Sequence, residues 1–246
     1  MNGIRVTLGR ELRAYFLSPL AYIVAALLLV INGLTFGIIL SFLNDPRAGI
    51  GAPLEYFFGE TIFFWLVLLF ITPVLTMHLI SEERRSGTLE ILMTAPITEA
   101  QVVLGKFLAA LIFYVFLWLP TLSYAGIVAY YHKVDWGPVA SGYLGILGIG
   151  ALFLSIGVLA SALTRSQLVA AILTFALLIP VFTFGLFETL TNSQGARTVF
   201  SYLNLWQHMG EFSKGIVDTR HLVYYASATA FFLFLATRAL AVRKWR

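Results

Sequence analysis

The 246-residue chain is 59% hydrophobic and only 11% charged, with a formal net charge of +4 and no cysteine. A soluble domain carries roughly 25% charged residues, so an ordinary soluble fold is excluded, and without cysteine so are disulfides and thiolate metal sites. Six apolar stretches of about 20 residues each occupy roughly half the chain, which leaves no room for a soluble catalytic domain; a modest positive charge on such a protein is no nucleic-acid signature.

Residues 1–18 have the period of an amphipathic helix. Ile4, Leu8, Leu12 and Tyr15 fall on one face, with Arg5, Arg10 and Arg13 to the side. Such a helix lies in the membrane interface with its guanidinium groups reaching water, and Ser18-Pro19 ends it. The apolar segment that follows is too long for a signal peptide and reads as an uncleaved first span.

The spans are expected at about 20–43, 61–80, 102–131, 139–163, 168–187 and 221–240. Pro73, Pro120 and Pro180 lie within three of them and predict kinks. The fourth is rich in small residues, with the pairs Ser141/Gly145, Ala151/Ser155 and Gly157/Ser161 allowing close helix packing. Residues 188–220 form a long loop in which Phe200, Tyr202, Leu205 and Trp206 can dip into the outer interface, as a re-entrant hairpin whose backbone must then be packed against protein.

Lys and Arg collect on cytoplasmic loops. With the N-terminus inside, the inner segments hold eleven of the 16 basic residues and the outer ones five, which places both termini in the cytoplasm. The expected fold is an all-α integral membrane protein, one domain over residues 1–246, with six transmembrane helices, an N-terminal interfacial helix, a cytoplasmic helix between spans two and three, and an outer segment between spans five and six.

No enzyme motif is present. Gly105-Lys106 resembles the end of a phosphate-binding loop, but Ala100 and Phe107 stand where that loop needs a glycine and a hydroxyl. His78, His132, His208 and His221 are scattered without metal-ligand spacing. No charged residue falls firmly at the middle of a span, where ion-coupled carriers keep their relays; Glu55, Glu60 and Glu188 sit at outer ends.

The informative stretch is residues 81–96. Glu82, Glu83, Arg84 and Arg85 open it, and Gly87 allows a tight bend. Thr88, Leu89, Glu90, Leu92 and Met93 follow, with Leu89, Leu92 and Met93 spaced as the apolar stripe of a short helix. Pro96 stops that helix, and Thr98 with Gln101 forms a capping box for the next span. A short helix fixed between two spans is a lever: a partner that pushes it moves both. The plain alternative is a solvated connecting loop.

This stretch resembles the signature after the second span of ABC-2 class export permeases, Glu-Glu-Arg-x-x-Gly-Thr-Leu-Glu-x-Leu followed by Pro. The run Arg10-Glu11-Leu12-Arg13-Ala14-Tyr15-Phe16-Leu17-Ser18-Pro19 is similar to the opening of the same class. Phe212–Arg220 resembles the gliding-motility, GldF-like subgroup. The resemblance implies a non-catalytic half-transporter in the bacterial inner membrane. Separate ABC ATPase subunits carry ATP and magnesium, so this chain needs no cofactor. The contacts to them are expected from Glu82, Glu83, Arg84, Arg85, Gly87, Thr88, Leu89, Glu90, Leu92 and Met93, and from the interfacial helix with Arg5, Arg10, Glu11, Arg13 and Tyr15. The other expected partners are membrane lipid and either a second permease copy or a membrane subunit with a large extracytoplasmic domain; no nucleic acid is expected. Two alternatives differ in kind: an ABC-driven device transmitting force to an extracytoplasmic partner, and an ATP-independent carrier or scaffold.

Overall fold

A computed structural model describes residues 2–43, 53–88, 97–131, 133–190 and 194–242. All regular elements among them are helical. Helix α1 (Asn2–Leu17) is followed by α2 (Pro19–Leu43), α3 (Ile62–Thr76), the short α4 (Ser81–Arg85), α5 (Glu99–Trp118) and α6 (Leu122–Tyr131). Then come α7 (Trp136–Leu163), α8 (Gln167–Leu190), α9 (Gln194–Leu203), α10 (Leu205–Ser213) and α11 (Thr219–Ala241). Six stretches are long and apolar enough to cross a membrane: Pro19–Phe42, Ile62–Arg85, Glu99–Tyr131, Trp136–Leu163, Gln167–Gly185 and Thr219–Ala241. These are spans one to six. The bundle end bearing α1 is called basal here, and the end bearing α9 and α10 distal.

Local chemistry sets the helix starts. Asp135 accepts from Gly137 N–H at 2.9 Å to start α7, and Asp218 accepts from Arg220 N–H at 2.8 Å to start α11. The expected capping box is formed, with Gln101 N–H on Thr98 Oγ1 at 3.3 Å and Thr98 N–H on Gln101 Oε1 at 3.2 Å. Pro120 does not bend one continuous helix. It ends α5 in a 3₁₀ turn, Leu119–Thr121, from which α6 continues. The expected second span, 61–80, stops as an α-helix at Thr76 and passes through a turn into α4.

Span four is the central post, packed by spans two, three, five and six and by α10. Its glycines make this possible. A Cβ at Gly150 would lie 2.2 Å from Tyr114 Cε1, and one at Gly157 2.2 Å from Thr76 Oγ1. Neighbouring helices therefore rest their side chains directly on its backbone. Dispersion gained over such close surfaces holds helices together in lipid, where apolar burial gives no advantage over acyl chains.

The outer segment is two helices, and α10 is packed against protein as a re-entrant segment requires. Leu205, His208, Met209, Phe212 and Ser213 are buried. Met209 sits against Gly59, at the end of a π turn (Tyr56–Glu60) leading into span two. Gly59 has φ +86° and would place a Cβ 2.3 Å from Met209 Cγ, so only glycine fits on both counts. Ser141 donates to the Phe212 carbonyl at 2.6 Å, and the Trp206 ring lies 4.8 Å from Trp65 and 5.1 Å from Phe182.

Substituting Gly157 by Val should destabilise the protein by about 1–3 kcal/mol through overpacking. The exposed Gly126, whose added Cβ would meet nothing within 4 Å, should accept Ala without loss. Thermal unfolding of the purified variants in detergent measures the difference.

Candidate functional site

Span two ends at a built break. Pro73 removes a backbone donor inside α3, and after Thr76 the chain turns through residues 77–80 into α4. Ser161 of span four fastens this turn: its buried hydroxyl accepts from Ile80 N–H at 3.0 Å and Ser81 N–H at 3.1 Å and donates to the Met77 carbonyl at 3.2 Å. Tyr15 of α1 donates to the Leu75 carbonyl at 2.6 Å, with its ring stacked on Phe113 at 4.9 Å.

From that turn, three consecutive side chains reach three directions. Glu82 accepts from Gln167 at the start of span five at 2.6 Å. Glu83 meets Lys106 of span three at 3.0 Å and pairs with Arg10 of α1. Arg84 donates to the Ala162 and Thr164 carbonyls, which end span four and would otherwise lack helical partners. Residues 82–84 therefore tie the cytoplasm-expected connection to four separate elements.

Lys106 is the centre of this arrangement. Its side chain is 1% exposed, and its ammonium lies 2.8 Å from Glu11 and 3.0 Å from Glu83. Arg10 adds a bond to the same Glu11 oxygen at 2.7 Å. Two acids and two bases thus form a compact group without net charge. Burial on its own would raise the Glu11 carboxyl, but the Lys106 and Arg10 charges and hydrogen bonds hold it below the usual carboxylate range. Burial likewise pushes the Tyr15 phenol well above its ordinary value.

The residues expected to meet a partner divide into two sets. Glu82, Glu83, Arg84, Arg10, Glu11 and Tyr15 direct their side chains to this chain itself, so a solvated loop is not what residues 81–85 form. Arg5, Arg13, Arg85, Gly87 and Thr88 are exposed. Gly87 has φ +73°, the bend expected of it, and Ser86 and Thr88 pair their hydroxyls at 2.9 Å beside it. Leu89, Glu90, Leu92 and Met93 lie outside the described residues. The α1 face of Ile4, Leu8 and Leu12 packs at least partly on protein, because Thr7 meets Gly105 and Phe16 meets Phe113 and Phe116.

Sequence reasoning missed three members. Lys106 was legible only as a failed phosphate-loop lysine and as a loop charge. Its signal is position: it lies seven residues inside the capped start of an otherwise apolar helix, where a charge needs a partner. Ser161 read only as a small residue, and nothing near it in the sequence marks Gln167 as the partner of Glu82. The histidines also need correction, since His208 and His221 are not scattered but stack with ring centroids 3.9 Å apart.

Replacing Lys106 by Met should leave the largely buried Glu11 and Glu83 sharing the half-exposed Arg10 and cost about 3–5 kcal/mol. The triple variant Glu11→Gln, Glu83→Gln, Lys106→Met should recover most of that loss. Chemical unfolding in detergent decides it; equal losses for the single and triple variants would mean the cluster is not coupled.

Comparison with known proteins agrees with this architecture. A sequence profile described as ABC-2 family transporter protein matches residues 58–237, from the π turn to span six. No curated protein matches the chain. With six apolar helices and a family match over most of its length, the chain belongs to the ABC-2 family of transporter proteins, as a multi-pass membrane subunit.

Proposed function

We propose that the chain is the permease subunit of an ATP-driven exporter, with both termini and the basal face in the cytoplasm of a bacterial cell and its ATPase docked on the connection between spans two and three. The observation that carries this reading is the fan of side chains from residues 82–84. A force applied beyond Arg85 reaches α1 and span three through Glu83, span four through Arg84, and span five through Glu82. Buried bonds of this kind transmit displacement because packed interiors have low compressibility.

Gly87 and Thr88 are exposed just beyond the clamp, and Leu89, Leu92 and Met93 are the apolar anchors that the sequence offers to a groove on the ATPase. ATP and magnesium belong to that subunit; this chain lacks the glycine and hydroxyl of a phosphate loop. Two permease chains, or this chain and a second membrane subunit, enclose the path. Export is the direction supported by the similarity of residues 82–96 to the signature of export permeases.

Interfaces concentrate their energy in a few buried anchors. Leu92→Ala should therefore cost about 2 kcal/mol, or about 30-fold in ATPase affinity, whereas Arg165→Ala, on the other basal turn, should cost little. Copurification of the ATPase with each variant gives the answer; full retention by Leu89 and Leu92 variants would remove the docking assignment.

Reporter fusions after Arg246 and within residues 190–197 should report opposite sides of the membrane. The same side for both would overturn the orientation.

A further inference from the structure

The distal end holds a cluster that the coupling function does not use. His208 lies on the inner face of α10, 1% exposed. Its ring is stacked on His221 of span six, with centroids 3.9 Å apart and planes 32° apart, and its Nδ1 lies 3.3 Å from the Tyr225 hydroxyl. His221 Nε2 in turn meets Glu211 at 2.7 Å. Among the described residues no group of three or more ligand-type side chains is arranged to hold a metal, so the chemistry available here is proton binding.

The groups around His208 can be named element by element. Span six presents His221, Tyr224 and Tyr225. Glu211 lies on α10 itself, and Asp218 lies just before span six. From α9 comes the Tyr202 backbone. On the other side of α10, span four brings Ser141 and Gly145, the π turn Gly59 and span five Phe182, while the short helix Pro53–Glu55 that also packs on α10 carries Glu55. Glu211 and Asp218 act on His208 through space, while the Glu211 carboxylate itself is bonded to His221.

We propose that the stacked His208–His221 pair is a proton-operated latch, which holds α10 on span six when His208 is neutral and releases it when the compartment on that side acidifies. The compartment named rests on the orientation proposed above; the latch itself does not. Release would matter mechanically, because α10 closes the distal end of the bundle through Met209, Phe212 and Trp206.

Burial pulls the His208 imidazole down to about 4, and the neighbouring His221 adds to the effect. A depressed histidine favours its neutral state, so the latched form is fully stable above the ordinary histidine value near 6.5 and loses stability as pH falls from there towards 4. If the released imidazole titrates normally, the released form gains about eightfold at pH 5.5 and about sixty-fold at pH 4.5 over pH 7. The Glu11 carboxyl at the opposite face, held below the usual carboxylate range, stays ionised at the upper end of this window.

The chain has no cysteine, so spin labels can be placed cleanly at Gly210→Cys on α10, where an added Cβ meets nothing within 4 Å, and at Val223→Cys on span six, which is 67% exposed. With the full chain in lipid nanodiscs, pulsed electron–electron distance measurements should show a reversible lengthening or broadening between about pH 6.5 and 4.5. His208→Phe should abolish the response, and His221→Gln should weaken it by removing the ring that packs against His208. If His208→Phe does not fold, His208→Gln serves in its place. A distance unchanged with pH, or an undiminished response without His208, overturns the latch. Because both faces of a nanodisc share one buffer and no ATPase is present, this outcome is separate from the orientation and docking tests.

Discussion

A lysine ammonium enclosed at the base of an apolar bundle has either to lose its proton or to find counter-charges, since an isolated buried ion costs far more than a protein's net stability. Lys106 has two carboxylates, and those carboxylates come from two other elements, α1 and α4. The demand for neutralisation therefore determines the basal geometry. Helix α1 must lie where Glu11 reaches span three, and the chain leaving span two must turn where Glu83 reaches the same point. Arg10 completes the balance by touching both acids. Buried ion pairs of this kind add little to stability relative to an apolar core, and their value lies in fixing one arrangement over others. Fixing an arrangement is what the coupling role proposed for this connection would require.

The rest of the bundle is organised around the same need. Span four has glycine where Phe58, Met209, Tyr225, Tyr114 and Thr76 press on it, and Ser161 satisfies three backbone groups of the turn after span two. The side chains of Thr76 and Tyr114 occupy volume that span four vacates. Displacement at residues 82–84 is thus referred to a post that has little room to yield, while the exposed faces of spans one, five and six are left to lipid or to other subunits.

The parts of this architecture legible in the sequence are those specified by near neighbours. Six spans follow from apolar runs, the capping box from Thr98 and Gln101 three residues apart, and the bend from Gly87. The packing of the outer hairpin was legible as a requirement, because lipid cannot satisfy its backbone, but its partners were not. What stayed hidden depends on distance along the chain. Lys106 and Glu11 are 95 positions apart and Glu83 and Arg10 73 apart, so no local pattern joins them. Glu82, Glu83 and Arg84 carried the right charges for an outward-facing patch, and only the fold reveals that they are used inward. The stacking of His208 on His221 similarly depends on α10 folding back on span six.

The order of the chain gives the two ends of the bundle different histories during biogenesis. All four charged members of the basal cluster lie within the first 106 residues, so the cluster can close as soon as the third span has left the ribosome and entered the bilayer. The distal closure cannot. Gly59 waits for Met209, 150 residues later, and Trp65 for Trp206, 141 residues later. A nascent chain thus has its basal charge cluster complete while its distal end still lacks the contacts that pack α10.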